Sequence, residues 1–241
     1  MRAGKIVFVI VTTLCLTSMV CGDWNVGDPY KMHYPQLPKS GGWDVEFGAS
    51  MLGDDWKCSE TGAVSDVHLW VSWMQNLVQP IGMMTVSIYS DVPAVPGTND
   101  YFSHPGQLLW MRDFSSSQII VRDMNPDLQG WYDPSTGEYG RNDHIMWQQI
   151  NITNIDKPFY QREGTIYWLV VDFGQLPYVG WKESADHFND DAVRMSPTGA
   201  WQELIDPAAG TSIDLSFVIT PEPATIAILA IGGLLIRRRT M

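Results

Sequence analysis

The chain is expected to be all-β, a single antiparallel β-sandwich of jelly-roll type, on three observations. Apolar and polar residues alternate with period two in several short segments rich in β-branched and aromatic residues. Turn dipeptides separate those segments: Pro96-Gly97, Pro105-Gly106, Asp133-Pro134 and Thr136-Gly137. No apolar helical period of any length occurs except near the two ends. Helices are expected only there, as an N-terminal signal helix and a short C-terminal hydrophobic helix.

The chain opens on Arg2 and Lys5, a positive patch, followed by an apolar run from Ile6 to Leu16. Val20-Cys21-Gly22 offers small residues for cleavage before Asp23. This is the composition of a secretory signal peptide over residues 1–22. Cys21 raises the alternative of a lipoprotein, but Val20 stands where a small residue is wanted. Residues 23–45 are rich in Pro, Gly and aromatics and read as an irregular lead-in.

Strands follow. Leu69, Val71 and Trp73 alternate with His68, Trp70 and Ser72, and Val86 and Ile88 alternate with Thr85, Ser87 and Tyr89. Ile119–Arg122 is a short strand candidate, and Ile150 and Ile152 alternate with Gln149 and Asn151. Ile166–Phe173 is apolar on both faces, the mark of a central strand covered on each side. Ile213, Leu215, Phe217 and Ile219 form the last alternating run. No repeat or linker divides residues 23–220, which are long enough to bury one sizeable core.

The last segment has three parts in order. Pro221-Glu222-Pro223 precedes an apolar run, Ala224–Ile236, and Arg237-Arg238-Arg239 follows it. The run of 13 residues would span ~20 Å as a helix, short of a bilayer core of ~30 Å. The arginines favour the cytoplasmic side. This tail, residues 221–241, resembles the PEP-CTERM sorting signal. The resemblance implies transient anchoring in the inner membrane, processing near Pro221 by an exosortase-type transpeptidase, and release to the cell surface or extracellular matrix. Signal peptidase would act at the other end. An ordinary tail anchor is the alternative.

Between the signals ten basic and 26 acidic side chains remain, so the net charge moves from −12 to −16. That charge repels phosphate backbones and argues against a nucleic-acid partner. Cys58 is then the one remaining cysteine, which excludes an internal disulfide and reads as a small buried hydrophobe. The five histidines are scattered, and no Gly-x-Ser-x-Gly elbow, phosphate loop or dinucleotide fingerprint occurs. No catalytic residue and no cofactor is nominated. Asn151-Ile152-Thr153 matches a glycosylation acceptor, which the bacterial tail makes incidental.

All eleven tryptophans lie in residues 23–220. Trp73, Trp147 and Trp168 sit in strand patterns and are assigned to the core. Trp131, Tyr132, Trp181 and Trp201 lie beside turn signals and are the candidates for an exposed platform that stacks on sugar rings. Two acidic clusters, Asp54-Asp55 and Asn189-Asp190-Asp191, carry the oxygen ligands that Ca²⁺ prefers. Their spacing is not that of an EF-hand, and solvated turn residues would look the same.

Asp54-Asp55-Trp56, Ser65–Trp70, Ile88–Pro93, Gly164–Leu169 and Gly180-Trp181-Lys182 together resemble a group of exported bacterial domains that often carry this tail, over most of residues 43–219. The resemblance implies a β-sandwich and export, and no activity. The expected function is therefore a non-catalytic surface or matrix protein that binds polysaccharide or another surface component. An extracellular polysaccharide-active hydrolase or lyase is the first alternative, a passive structural matrix protein the second.

Overall fold

A computed structural model describes residues 22–221, residue 99 excepted. Residues 1–21, all but the last of the expected signal peptide 1–22, and the tail from Glu222 on, with the two expected helices, lie outside the described residues. Within them the chain is all-β. In order come β1 (Trp43–Glu46), β2 (Leu52–Lys57), β3 (Gly62–Ala63), β4 (Asp66–Trp73), β5 (Met83–Val92), β6 (His104–Ser115), β7 (Ile120–Asp123) and β8 (Gln129–Asp133). Then follow β9 (Glu138–His144), β10 (Trp147–Ile152), β11 (Tyr160–Gln161), β12 (Ile166–Asp172), β13 (Val179–Lys182), β14 (Val193–Met195), β15 (Trp201–Glu203) and β16 (Phe217–Thr220). Two single 3₁₀ turns, Met74–Asn76 and Ser116–Gln118, are the only helical pieces among the described residues.

The strands form two main sheets packed as a sandwich. One runs β7-β10-β4-β13-β1-β8-β9, with β16 also on β4, and the other runs β15-β14-β2-β12-β5-β6. The eight residues of β4 serve three neighbours: β10 on one side, and β16 and β13 sharing the other. β12 lies between β2 and β5, so the doubly apolar run is the central strand expected of it. The sheets are not wholly antiparallel, however. β1 and β8 pair in parallel, and between them the chain visits the second sheet twice, for β2 and for β5 and β6.

Period two decides what enters the core. Leu52, Asp54 and Trp56 share one face of β2, and Tyr167, Leu169 and Val171 share one face of β12. With Val67, Leu69, Val71, Trp73, Met84, Val86, Ile88, Trp181 and Phe217, the apolar members fill the space between the sheets. Trp168 and Val193 leave on the other face and build a smaller cluster with Phe102. The lead-in, expected to be irregular over 23–45, is so only up to Gly42, since β1 begins at Trp43, and it is tied down. Trp24 meets Trp70 edge-on at 6.0 Å. The Lys31 and Gln36 amides donate to the Ile219 and Phe217 carbonyls at 2.7 and 3.2 Å.

Two local expectations fail. Pro105-Gly106 is not a turn but the start of β6, where Gly106 packs against Ser90 and Val92 of β5. The run from Ile213 becomes a regular strand only at Phe217. Asp214 and Leu215 before it are drawn into side-chain bonds and isolated bridges.

Candidate functional site

The outer face of the second sheet carries the site. There Trp168 is fully buried under Phe102 and Val193, with Tyr89 and Trp201 packed against them. Its indole Nε1–H donates to Asp91 Oδ1 at 2.9 Å. Trp201 opens β15, the edge strand, and so keeps part of its ring in solvent while meeting Tyr89 edge-on at 6.3 Å. Beyond it the surface sinks into a cleft of about 310 Å³.

Three aromatic side chains wall that cleft: Trp201, Tyr101 from the loop before β6, and Tyr132 from β8 of the other sheet. Arg194, Gln202 and Glu203 supply polar groups. Arg194 and Gln202 face each other across β14 and β15, and Arg194 Nε–H donates to Gln202 Oε1 at 3.0 Å. Among the described residues Arg194 enters no ion pair. Burial raises the Tyr132 hydroxyl pKa, and Arg194 opposes that rise.

Glu203 links the cleft to a group of acids. One carboxylate oxygen each from Asp190, Asp191 and Glu203 lie within 4.8 Å of one another, all three side chains half-buried. Burial raises the pKa of Asp191 and of Glu203, and the neighbouring aspartates raise Glu203 further. The Ser103 amide donates to Asp190 Oδ2 at 2.7 Å, and the Ser212 hydroxyl donates to Asp191 Oδ1. Three converging oxygens are a donor set that a hard cation accepts.

The two acidic clusters in the sequence meet only in part. Asn189 Nδ2 donates to Asp55 Oδ2 at 2.6 Å, so Asp55 adjoins the second cluster. Asp54 does not. Consecutive strand residues point to opposite faces, and Asp54 turns inward to accept from Gln36 Nε2 at 2.8 Å and from the Leu215 amide at 2.6 Å. Asp54 and Asp55 therefore cannot hold one ion together. Neither is a solvated turn residue: both are fully buried, and burial drives both carboxyls well above their ordinary range. Asp214, raised by the same cause, accepts from the Phe188 amide at 2.6 Å and sits 3.3 Å from His187 Nδ1.

The aromatic platform is corrected as well. Of its four members, Tyr132 and Trp201 share the cleft, and Trp131 and Trp181 do not reach it. Trp181 is completely buried between the sheets, stacked on Phe47 at 6.0 Å, its Nε1–H given to the Ser216 carbonyl at 2.8 Å. Trp131 is 4 % exposed, its ring laid over Gly180 and edge-on to His144. No local sequence signal marks Tyr101, Arg194, Gln202 or Glu203 as cleft residues. Trp201-Gln202-Glu203 beside Arg194 is a short hairpin whose period is too brief to stand out. Trp73 and Trp168 are buried and Trp147 is half-buried, as their strand patterns suggested, and Cys58 is buried.

Residues 32–220 match the family model of a domain of unknown function, DUF7901. The chain belongs to the DUF7901 family. No curated protein and no solved structure matches it. The DUF7901 match begins at Met32, which makes the first bridge, to Cys58, and ends at Thr220, the last residue of β16. Every cleft residue lies inside it.

Proposed function

We propose that this DUF7901 chain is an exported, non-catalytic surface or matrix protein whose domain binds polysaccharide, or another surface component, in the cleft beside Trp201. The observation that carries the reading is the meeting of Tyr101, Tyr132 and Trp201 from three separate segments around one open cleft, with Arg194, Gln202 and Glu203 among them. Aromatic walls with a few placed polar groups are the usual make-up of a ligand site, and aromatic faces suit the C–H faces of sugars. Asp190, Asp191 and Glu203 would hold Ca²⁺ at the rim. We also read the sandwich as jelly-roll-like, since the late strands β12 and β13 insert between the early pairs β2/β5 and β4/β1.

Export and sorting rest on the two ends of the sequence. In support, the family match stops at residue 220, so Pro221-Glu222-Pro223 and Arg237–Arg239 fall outside the domain. Among the described residues no helix is long and apolar enough to cross a membrane. Intact mass of the protein recovered from its cells should show a chain ending near residue 220. Recovery of chains ending at Met241 in the membrane would instead make the tail a permanent anchor.

One observation favours the enzymatic rival. Asp191 and Glu203 hold protons more firmly than ordinary carboxyls and stand beside Asp190, an arrangement that suits general acid catalysis. A single assay separates the readings. The protein is incubated with a panel of immobilised polysaccharides, with Ca²⁺ or with chelator, and the supernatant is assayed for released sugar. Retention without release, lost in Trp201→Ala, is the expected outcome, and chelator sensitivity would assign the cation. Sugar release would transfer the reading to a hydrolase or lyase. Neither retention nor release would leave a structural matrix protein.

A further inference from the structure

A second polar cluster lies away from the cleft, on the opposite face of β1 and β13 from Val45 and Trp181. Asp44 and Lys182 are cross-strand partners there. They are 0 % and 1 % exposed. Lys182 Nζ stands 3.5 Å from Asp44 Oδ1, an oxygen that accepts no hydrogen bond. The nitrogen is held in place from two other sides. Gln129 Oε1 accepts from it at 2.6 Å, and the Trp147 ring lies 4.9 Å away. The other carboxyl oxygen, Oδ2, is 2.8 Å from His144 Nε2, and His144 Nδ1 is 3.0 Å from Asp143 Oδ2. Both ring nitrogens thus face carboxyl oxygens.

We propose that Lys182 and Asp44 condense into an intramolecular isopeptide bond that ties β1 to β13. The atoms balance without any co-reactant. A proton passes from the ammonium to the carboxylate, which leaves a free amine and a carboxylic acid. The Nζ lone pair attacks Asp44 Cγ to form the C–N bond. The C–O bond then breaks, and one carboxyl oxygen departs as water with the two protons the nitrogen has shed. His144 stabilises the charge that gathers on Oδ2 in the tetrahedral intermediate.

Three features of the site favour the product. The ammonium and the carboxyl are held side by side on paired strands, Nζ 3.5 Å from Oδ1, so little reorganisation brings them together. Burial lowers the Lys182 pKa, against the pull of Asp44, and so eases the loss of its proton. An amide also replaces two buried charges, which a low-dielectric interior disfavours even when paired, and the closed surroundings keep water from reversing the step.

Peptide mapping of the full chain tests the bond. The protein is denatured, cleaved after lysine and arginine, and analysed by mass spectrometry. The expected result is a branched peptide that joins the segments holding Asp44 and Lys182, lighter by one water than the two linear peptides together, with no cleavage after Lys182. Lys182→Met should give only linear peptides. Asp44→Asn should give the same branched peptide by losing ammonia. Cleavage after Lys182 together with an unmodified Asp44 peptide would overturn the proposal, and so would a branch at Gln129. The deciding readout is the branched peptide of the natural chain itself, so it does not depend on whether a variant folds.

Discussion

His68 lies in the middle of β4, 2 % exposed, with its Nδ1 2.6 Å from Asn151 Oδ1. Burial lowers its pKa to about 4. As pH falls, the unfolded chain takes up this proton near its ordinary value of 6.5, well before the folded protein does. The contribution is therefore complete above that value and is lost between there and about 4, by about 3 kcal/mol over the window. Urea unfolding at pH 7 and at acid pH should show a shallower acid decline in His68→Gln than in the natural chain. Asp55 works in the other direction. Its folded pKa is raised by burial, so the folded state keeps a proton that the unfolded chain gives up in the ordinary carboxylate range. Stability is then greatest at low pH and declines as pH rises through the raised folded value. Asp55→Asn keeps an oxygen for Asn189 and should flatten that decline in the same titration.

Among the elements, β13 shows how much four residues can carry. Gly180 passes beneath Trp131, and a Cβ there would stand 2.8 Å from the indole Cζ3 and 3.2 Å from the Asp44 carbonyl carbon. Gly180→Ala should destabilise the fold by about 1–3 kcal/mol, as overpacking does, seen as a lower denaturation midpoint with an unchanged slope. Trp181, the next residue, fills the core, so Trp181→Ala should cost about 3–5 kcal/mol. Trp201→Ala, on an edge strand, should melt within a few degrees of the natural chain while losing the polysaccharide retention proposed above. The contrast also explains which parts were legible beforehand. β4, β5, β10 and β12 carry enough alternating residues for period two to register. β2 does not, because Asp54 occupies an inward position where the pattern calls for an apolar residue. Trp181 sits beside Gly180, and a glycine next to an aromatic reads as a turn unless the neighbouring ring that needs the space is known. Tyr132 and Trp201 keep part of their rings in solvent at strand ends, whereas Trp131 and Trp181, equally close to turn signals, are buried. Arg194 joins Trp201 through the short β14–β15 hairpin, and Tyr101 and Tyr132 join them only through the tertiary packing of distant segments, which no local pattern encodes.

At the scale of the whole molecule the excess of acidic groups matters. With a net charge of −16 over residues 23–220, the folded domain repels itself, and salt should relieve that. Raising ionic strength from ~0.01 M to ~0.15 M shortens the screening length from ~30 Å to ~8 Å. The thermal midpoint by calorimetry should rise accordingly, whereas a decline would mean that surface ion pairs outweigh the repulsion. The ends of the domain have a consequence of a different kind. Lys31 and Gln36 bond to Ile219 and Phe217, and β16 covers half of one side of β4. The earliest part of the domain to leave a ribosome is thus a partner of the latest. Synthesis cannot be matched by folding step for step: the clasp shuts only once residue 220 is free. A nascent chain halted just short of β16 would wait with its longest-range seam undone and the flank of β4 bare, still loose enough to be threaded onward or destroyed.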